Sequence, residues 1–333
     1  MTMSVSLLRR AAHRAIRKGL AAPRIAHDCT PGTFGLSFER VRIPTANRRL
    51  LHAWFIPSPQ GMNSATLAAT TSNTPTPTPI RTTEPLPLPD ATATPLTLIV
   101  IHGWGGNASM MLPLARPLHD AGFATLFVDA RCHGASDEDD FASLPRFAED
   151  IEHARTWLLE SGRAQSGSVA LLGHSVGAGA ALLVASRQPG IAAVVSVGAF
   201  AHPDTVMRRW LASKWIPQRP IGNYILDYVQ QAIGYRFEDI APINTISRIR
   251  CPVLLAHGAD DDVVPVGDAR AIHARRRHER VVLRIVPGGH DDFADLEHQL
   301  GEVIQFLASA ATEPNGVQVQ QTPEVGAKRA CGL

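Results

Sequence analysis

The chain has 333 residues, 45% of them hydrophobic and 19% charged, which suits one large α/β domain or two small ones. A formal net charge of +2 and only 6% aromatics argue against nucleic acid as a partner, and no apolar run reaches the ~18 residues of a membrane span. The four cysteines (Cys29, Cys132, Cys251 and Cys331) lie far apart without C-x-x-C spacing, so neither a disulfide framework nor a zinc site is expected, and reduced thiols in a cytoplasmic protein are.

Residues 1–30 read as a basic amphipathic helical region. Arg9, Arg10, Arg14, Arg17, Lys18 and Arg24 precede the first acidic residue, Asp28, with Leu7, Leu8, Ala11, Ala15 and Ile16 between them. Arginines interrupt every stretch that could be the apolar core of a secretory signal. A surface helix, a membrane-surface contact and an organelle-targeting segment all remain open for it.

Residues 31–310 read as a single domain. Leu36–Ile43 and Leu50–Ile56 flank a turn at Thr45-Ala46-Asn47 and form an expected antiparallel pair at a sheet edge. Residues 57–95 contain Thr74-Pro75-Thr76-Pro77-Thr78-Pro79 and Pro85-Leu86-Pro87-Leu88-Pro89, which exclude helix and central strand; an extended or disordered surface insertion is expected. From residue 96 the pattern alternates. Strands are expected at Leu96–Ile101, Phe123–Val128, Val169–Leu172, Ile191–Val197, Val253–Ala256 and Val281–Val286. Helices are expected at Met110–Ala121, Phe147–Leu159, Val176–Ser186 and Asp268–Arg277, with a last one carrying Leu296, Leu300, Val303, Ile304 and Leu307 on one face. Strands apolar on both faces, alternating with helices, imply a mostly parallel eight-stranded sheet covered on both sides. The alternation pauses at 201–245, read as a small helical cap. Residues 311–333 are polar, without a period, and read as a disordered tail.

Chemistry concentrates where the strands end. Gly173-His174-Ser175-Val176-Gly177 lies between a strand and a small-residue helix. A serine at the apex of such a turn is pushed out of the sheet, and glycines two before and two after it let neighbouring backbone approach. Ser175 is therefore a candidate nucleophile, needing a base, a carboxylate to orient the base, and donors for an oxyanion. His102-Gly103-Trp104-Gly105-Gly106 follows the first buried strand and offers backbone donors; the Trp104 N–H would pair with that of Val176. Asp260-Asp261-Asp262 follows Val253–Ala256, and local physics leaves open which one turns inward. His290, after Gly288-Gly289 and the last strand, is the favoured base among fourteen histidines.

With these residues in view, the chain resembles the α/β-hydrolase superfamily from about residue 36 to 310. The resemblance rests on the nucleophile elbow, the His102-Gly103-Trp104 segment, and Asp129-Ala130-Arg131-Cys132-His133-Gly134-Ala135-Ser136. The last is similar to the family's D-x-R-G-H-G-x-S turn, with Cys132 where glycine is usual. The family pattern H-G-x-x-D-x-x-x-P, laid on His257 to Pro265, selects Asp261, with Asp260 as runner-up and Asp204 as decoy. The closest likeness is to small bacterial hydrolases of the serine-aminopeptidase-like and dienelactone-hydrolase-like type. That implies ester, thioester or amide hydrolysis of a small-molecule acyl substrate without metal or organic cofactor. An acyltransferase on the same residues, and a non-catalytic ligand sensor, remain alternatives. The aromatic residues of the cap (Trp210, Trp215, Tyr224), with His102 and His174, are expected to line an apolar substrate pocket.

Overall fold

The computed structural model describes residues 2–59, 96–291 and 296–312. The expected insertion at 57–95 and the tail at 311–333 lie almost wholly outside them. Eight strands form one sheet: β1 (Glu39–Thr45), β2 (Arg49–Ile56), β3 (Thr97–Ile101), β4 (Ala124–Val128), β5 (Val169–His174), β6 (Ile191–Val197), β7 (Val253–Gly258) and β8 (Val281–Val286). Their order is β1-β2-β4-β3-β5-β6-β7-β8. β1 and β2 are antiparallel, β2 joins β4 antiparallel, and every pairing from β4 to β8 is parallel. This is the α/β-hydrolase fold.

The described helices are α1 (Thr2–Gly19), α2 (Ala115–Asp120), α3 (Leu144–Glu160), α4 (Val176–Arg187), α5 (Pro203–Ser213), α6 (Asn223–Ile233), α7 (Phe237–Ile240), α8 (Pro242–Thr245), α9 (Val266–Ala274) and α10 (Leu296–Thr312). They build one apolar core on each face of the sheet. Phe147, Ile151, Ala154 and Leu158 of α3 pack with α4 on one face; Leu118 of α2 and Leu300, Ile304 and Leu307 of α10 belong to the cluster on the other. The central strands β3 and β4 are buried at every position, whereas β1 alternates as an edge strand must. One expected helix is different: Met110–Ala121 divides into a 3-10 stretch, Ala108–Leu114, and α2. Pro113 and Pro117 lack the N–H that an α-helix would use there.

The Asp129–Ser136 turn is the hub between these layers. The fully buried Asp129 carboxylate accepts the Ala108 N–H at 2.7 Å on one oxygen and the Ala135 N–H at 2.8 Å on the other. His27 Nε2 and His52 Nδ1 reach that second oxygen at 2.8 and 3.1 Å. Burial alone would raise the Asp129 pKa, but the hydrogen bonds from His27 and His52 outweigh it and hold the carboxyl far below the usual range. Arg131, also buried, pairs through Nε with Asp150 of α3 at 2.7 Å. Cys132 takes φ +67, the left-handed region that explains why glycine is usual there, and its sulfur accepts the Asp139 N–H at 3.2 Å.

Candidate active site

Ser175 occupies the turn between β5 and α4 with φ 54 and ψ −116, a conformation that non-glycine residues rarely adopt. The chain holds it there from both sides: the Ser175 N–H donates to Val197 O at 2.8 Å, and its carbonyl accepts from Gly179 at 3.1 Å. The flanking glycines are sterically required. A Cβ on Gly173 would lie 2.3 Å from Gly177 O, and one on Gly177 would lie 2.4 Å from His102 O.

His290 follows β8, with its Nε2 3.0 Å from Ser175 Oγ and its Nδ1 2.7 Å from Asp261 Oδ2. Such a pair of contacts fits one neutral tautomer, Nδ1–H donating to the carboxylate and Nε2 accepting from the hydroxyl. Asp261, after β7, is buried, while Asp260 and Asp262 face solvent. Three donors, the Val263 and Val264 amides and His290 Nδ1, converge on Asp261, with His257 beside them. The Val263 and Val264 N–H groups reach Oδ1 at 3.0 and 2.7 Å, and His257 Nε2 lies 3.2 Å from the Oδ2 that His290 uses. His257 Nε2 also donates to Val264 O at 2.7 Å. Asp204, the decoy, is engaged with Arg208 one turn along α5 at 2.6 Å.

The His102–Gly106 loop runs beside the serine: a Cβ on Gly103 would lie 3.0 Å from Ser175 Cβ. Among the described residues, the backbone amides of Trp104 and Val176 donate to no backbone acceptor. Trp104 is 40% exposed, and its ring stacks on Phe147 and meets His133 edge-on.

The five side chains expected to line a pocket are placed differently. His102 is buried; its Nδ1 donates to Gly103 O at 2.7 Å and its Nε2 accepts the Ala130 N–H at 3.1 Å, so it braces the loop from beneath. Burial, then the neighbouring His133, pushes its pKa down to about 4. His174 is buried too, and its Nε2 donates to His290 O at 2.9 Å, fixing the loop that carries the imidazole. Burial, then His290, pushes it to about 4 as well. Trp210 packs half-buried against the core. Trp215 is 92% exposed and does not wall a pocket, and Tyr224 Oη bonds to His13 Nε2 at 3.0 Å. For Trp215 the expectation failed because helical caps present aromatic residues outward as readily as inward, which composition alone does not distinguish. Sequence reasoning also gave no role to His257 or to the His27–His52–Asp129 network. The first had a usable signal, its place at the head of H-G-x-x-D; the second joins residues too far apart in the chain to have one.

Comparison with known proteins points to hydrolases of this fold. A family model described as serine aminopeptidase, S33, matches residues 93–233. YqkD of Bacillus subtilis is 27% identical over 199 residues, covering 59% of this chain and 65% of that protein. Rv2307c of Mycobacterium tuberculosis is 28% identical over 226 residues, covering 64% and 70%. A thermostable monoacylglycerol lipase of Bacillus sp. is 23% identical over 192 residues, covering 54% and 75%. Among solved structures, a Pyrococcus furiosus esterase superposes with a TM-score of 0.63 at 19% identity, covering 87% of this chain and 97% of its own. Est1E of Butyrivibrio proteoclasticus gives 0.54 at 17%, covering 82% and 99%. At these identities the structural likeness is one of fold.

Proposed function

We propose that this chain, a member of the α/β-hydrolase superfamily, is a serine hydrolase that cleaves a carboxylic ester through Ser175, His290 and Asp261. The observation that carries the reading is the position of one imidazole, 3.0 Å from the Ser175 hydroxyl on one side and 2.7 Å from the Asp261 carboxylate on the other. An unassisted serine hydroxyl is a poor nucleophile at neutral pH, and this arrangement supplies the missing base.

As Ser175 Oγ attacks the acyl carbonyl, its proton passes to His290 Nε2. Asp261 holds the Nδ1–H tautomer and stabilises the imidazolium. The N–H groups of Trp104 and Val176 serve the oxyanion, helped by the positive end of the α4 dipole. His290 then gives its proton to the departing alcohol. A water molecule, deprotonated by the same nitrogen, attacks the acyl-enzyme, and the proton returns to Oγ as the acid leaves. Esters are favoured over amides because an alcohol departs more readily than an amine.

A panel of p-nitrophenyl esters of graded chain length, with a thioester and an aminoacyl amide beside them, tests this. The Ser175→Ala variant should lose on the order of 10⁴ or more in kcat on whichever substrate turns over. An unchanged rate in that variant would remove Ser175 from the chemistry.

A further inference from the structure

The outer end of the cap carries apolar side chains that the hydrolytic reading leaves unused. After α5 the chain turns through Lys214 and Trp215, then through Gln218–Gly222 into α6. Trp215 is 92% exposed, Ile221 50% and Tyr224 43%. The outward pose of Trp215 is built in: its N–H donates to Ala212 O at 2.9 Å, its φ is +58, and the next residue turns back so that Ile216 N–H meets Leu211 O at 3.0 Å and Ile216 packs on the core. Lys214 precedes these apolar groups in the chain, the exposed Arg219 lies among them, and no acidic residue occurs between Thr205 and Leu226.

α1 lies against the same end of the cap. The His13 ring stacks on Tyr228 at 3.8 Å and bonds to the Tyr224 hydroxyl, and Arg17 Nε donates to that of Tyr228 at 2.7 Å. Arg10, Arg14 and Lys18, four residues apart, form an exposed cationic stripe along the helix. Residues 2–27 contain no acidic side chain. The exposed Asp227, one turn beyond Tyr224 on α6, is the acidic group next to the patch in sequence.

We propose that α1 and the α5–α6 end of the cap form a docking surface for an anionic phospholipid bilayer. The composition discriminates among polyanions. Phosphates alone would be met by cations; an exposed indole and isoleucine, with a half-exposed phenol, interspersed with cations are suited to the headgroup–acyl boundary, where amphipathic rings partition and lysine and arginine stems reach the phosphates. The cap is inserted between β6 and β7, at the strand ends where Ser175 lies, so docking would bring the serine towards acyl chains in the bilayer. That consequence rests on the proposed hydrolase activity; the docking does not.

The test uses the full chain with vesicles of phosphatidylcholine alone, or with roughly a third phosphatidylglycerol, read by co-sedimentation and by tryptophan emission. The protein should bind the anionic vesicles at low salt with a blue shift, and bind neutral ones about tenfold less or worse. Trp215→Ala should abolish most of the shift. Lys214→Glu with Arg219→Glu, and separately Arg10→Glu with Arg14→Glu, should each weaken binding about tenfold. Far-UV circular dichroism and thermal midpoints check that the variants remain folded. The absence of binding to anionic vesicles overturns the proposal, as does binding that all three variants retain. Retention on heparin without vesicle binding also overturns it, in favour of a surface for soluble polyanions.

Discussion

Lowering the pH from 7 to 4.5 should destabilise the fold through His102 in particular. Its ring makes two hydrogen bonds of opposite sense, Nδ1–H to Gly103 O and Ala130 N–H to Nε2, which only one neutral tautomer satisfies. A second proton would set N–H against N–H in a buried site. The folded-state pKa is accordingly depressed to about 4 from 6.5, by burial first and His133 second. For a base depressed in this way the unfolded chain takes the proton first. The stabilisation is complete above pH 6.5 and is lost as pH falls towards 4. By pH 4.5 the loss from this one ring amounts to ~2–3 kcal/mol, a sizeable part of the ~5–15 kcal/mol typical of a domain. Urea unfolding at both pH values, for the wild type and His102→Gln, measures it. Glutamine offers Ala130 an acceptor but does not titrate, so the variant should lose about 2 kcal/mol less than the wild type between the two pH values. His174, also depressed to about 4, adds a loss of the same sign to both proteins. An equal loss in both would refute the assigned tautomer and its role.

Three further substitutions test the packing and the site. Gly177→Ala sets a Cβ 2.4 Å from His102 O and 2.8 Å from Ile101 O, backbone that must shift. About 1–3 kcal/mol of stability and ~10²-fold in kcat should be lost, read by thermal unfolding and ester turnover. Gly134→Ala, at φ +47 with its Cβ 2.3 Å from the Asp129 carboxyl carbon, should cost roughly 2–4 kcal/mol in a urea titration. Asp261→Asn preserves shape but releases the His290 tautomer, and kcat should fall by ~10³–10⁴ while the thermal midpoint moves little.

The strands were legible because each is a short apolar run closed by glycine or a polar turn; Ile191–Val197 and Val281–Val286 were read to the residue. The edge pair β1–β2 was legible from its alternation and intervening turn. Ser175 and His290 stood out because each ends a strand in glycine-rich sequence. Among the three adjacent aspartates, local sequence left the choice open. Family likeness pointed to Asp261, and in the fold it is the Val263 and Val264 amides that turn its carboxylate inward. The cap aromatics were illegible for a different reason. Which face of a cap helix meets the core depends on tertiary contacts that no local period encodes; Trp210 on α5 packs in, while Trp215 in the turn after it points out. His102 and His174 share that difficulty, since a buried brace and a pocket wall look alike in sequence.

The most direct measurement is covalent labelling with a fluorophosphonate probe, followed by peptide mass spectrometry to locate the adduct. The account predicts a single adduct on Ser175, formed rapidly by the wild type and suppressed in His290→Ala, because only a hydroxyl within reach of that imidazole is activated. No adduct, or one on another residue, would contradict it.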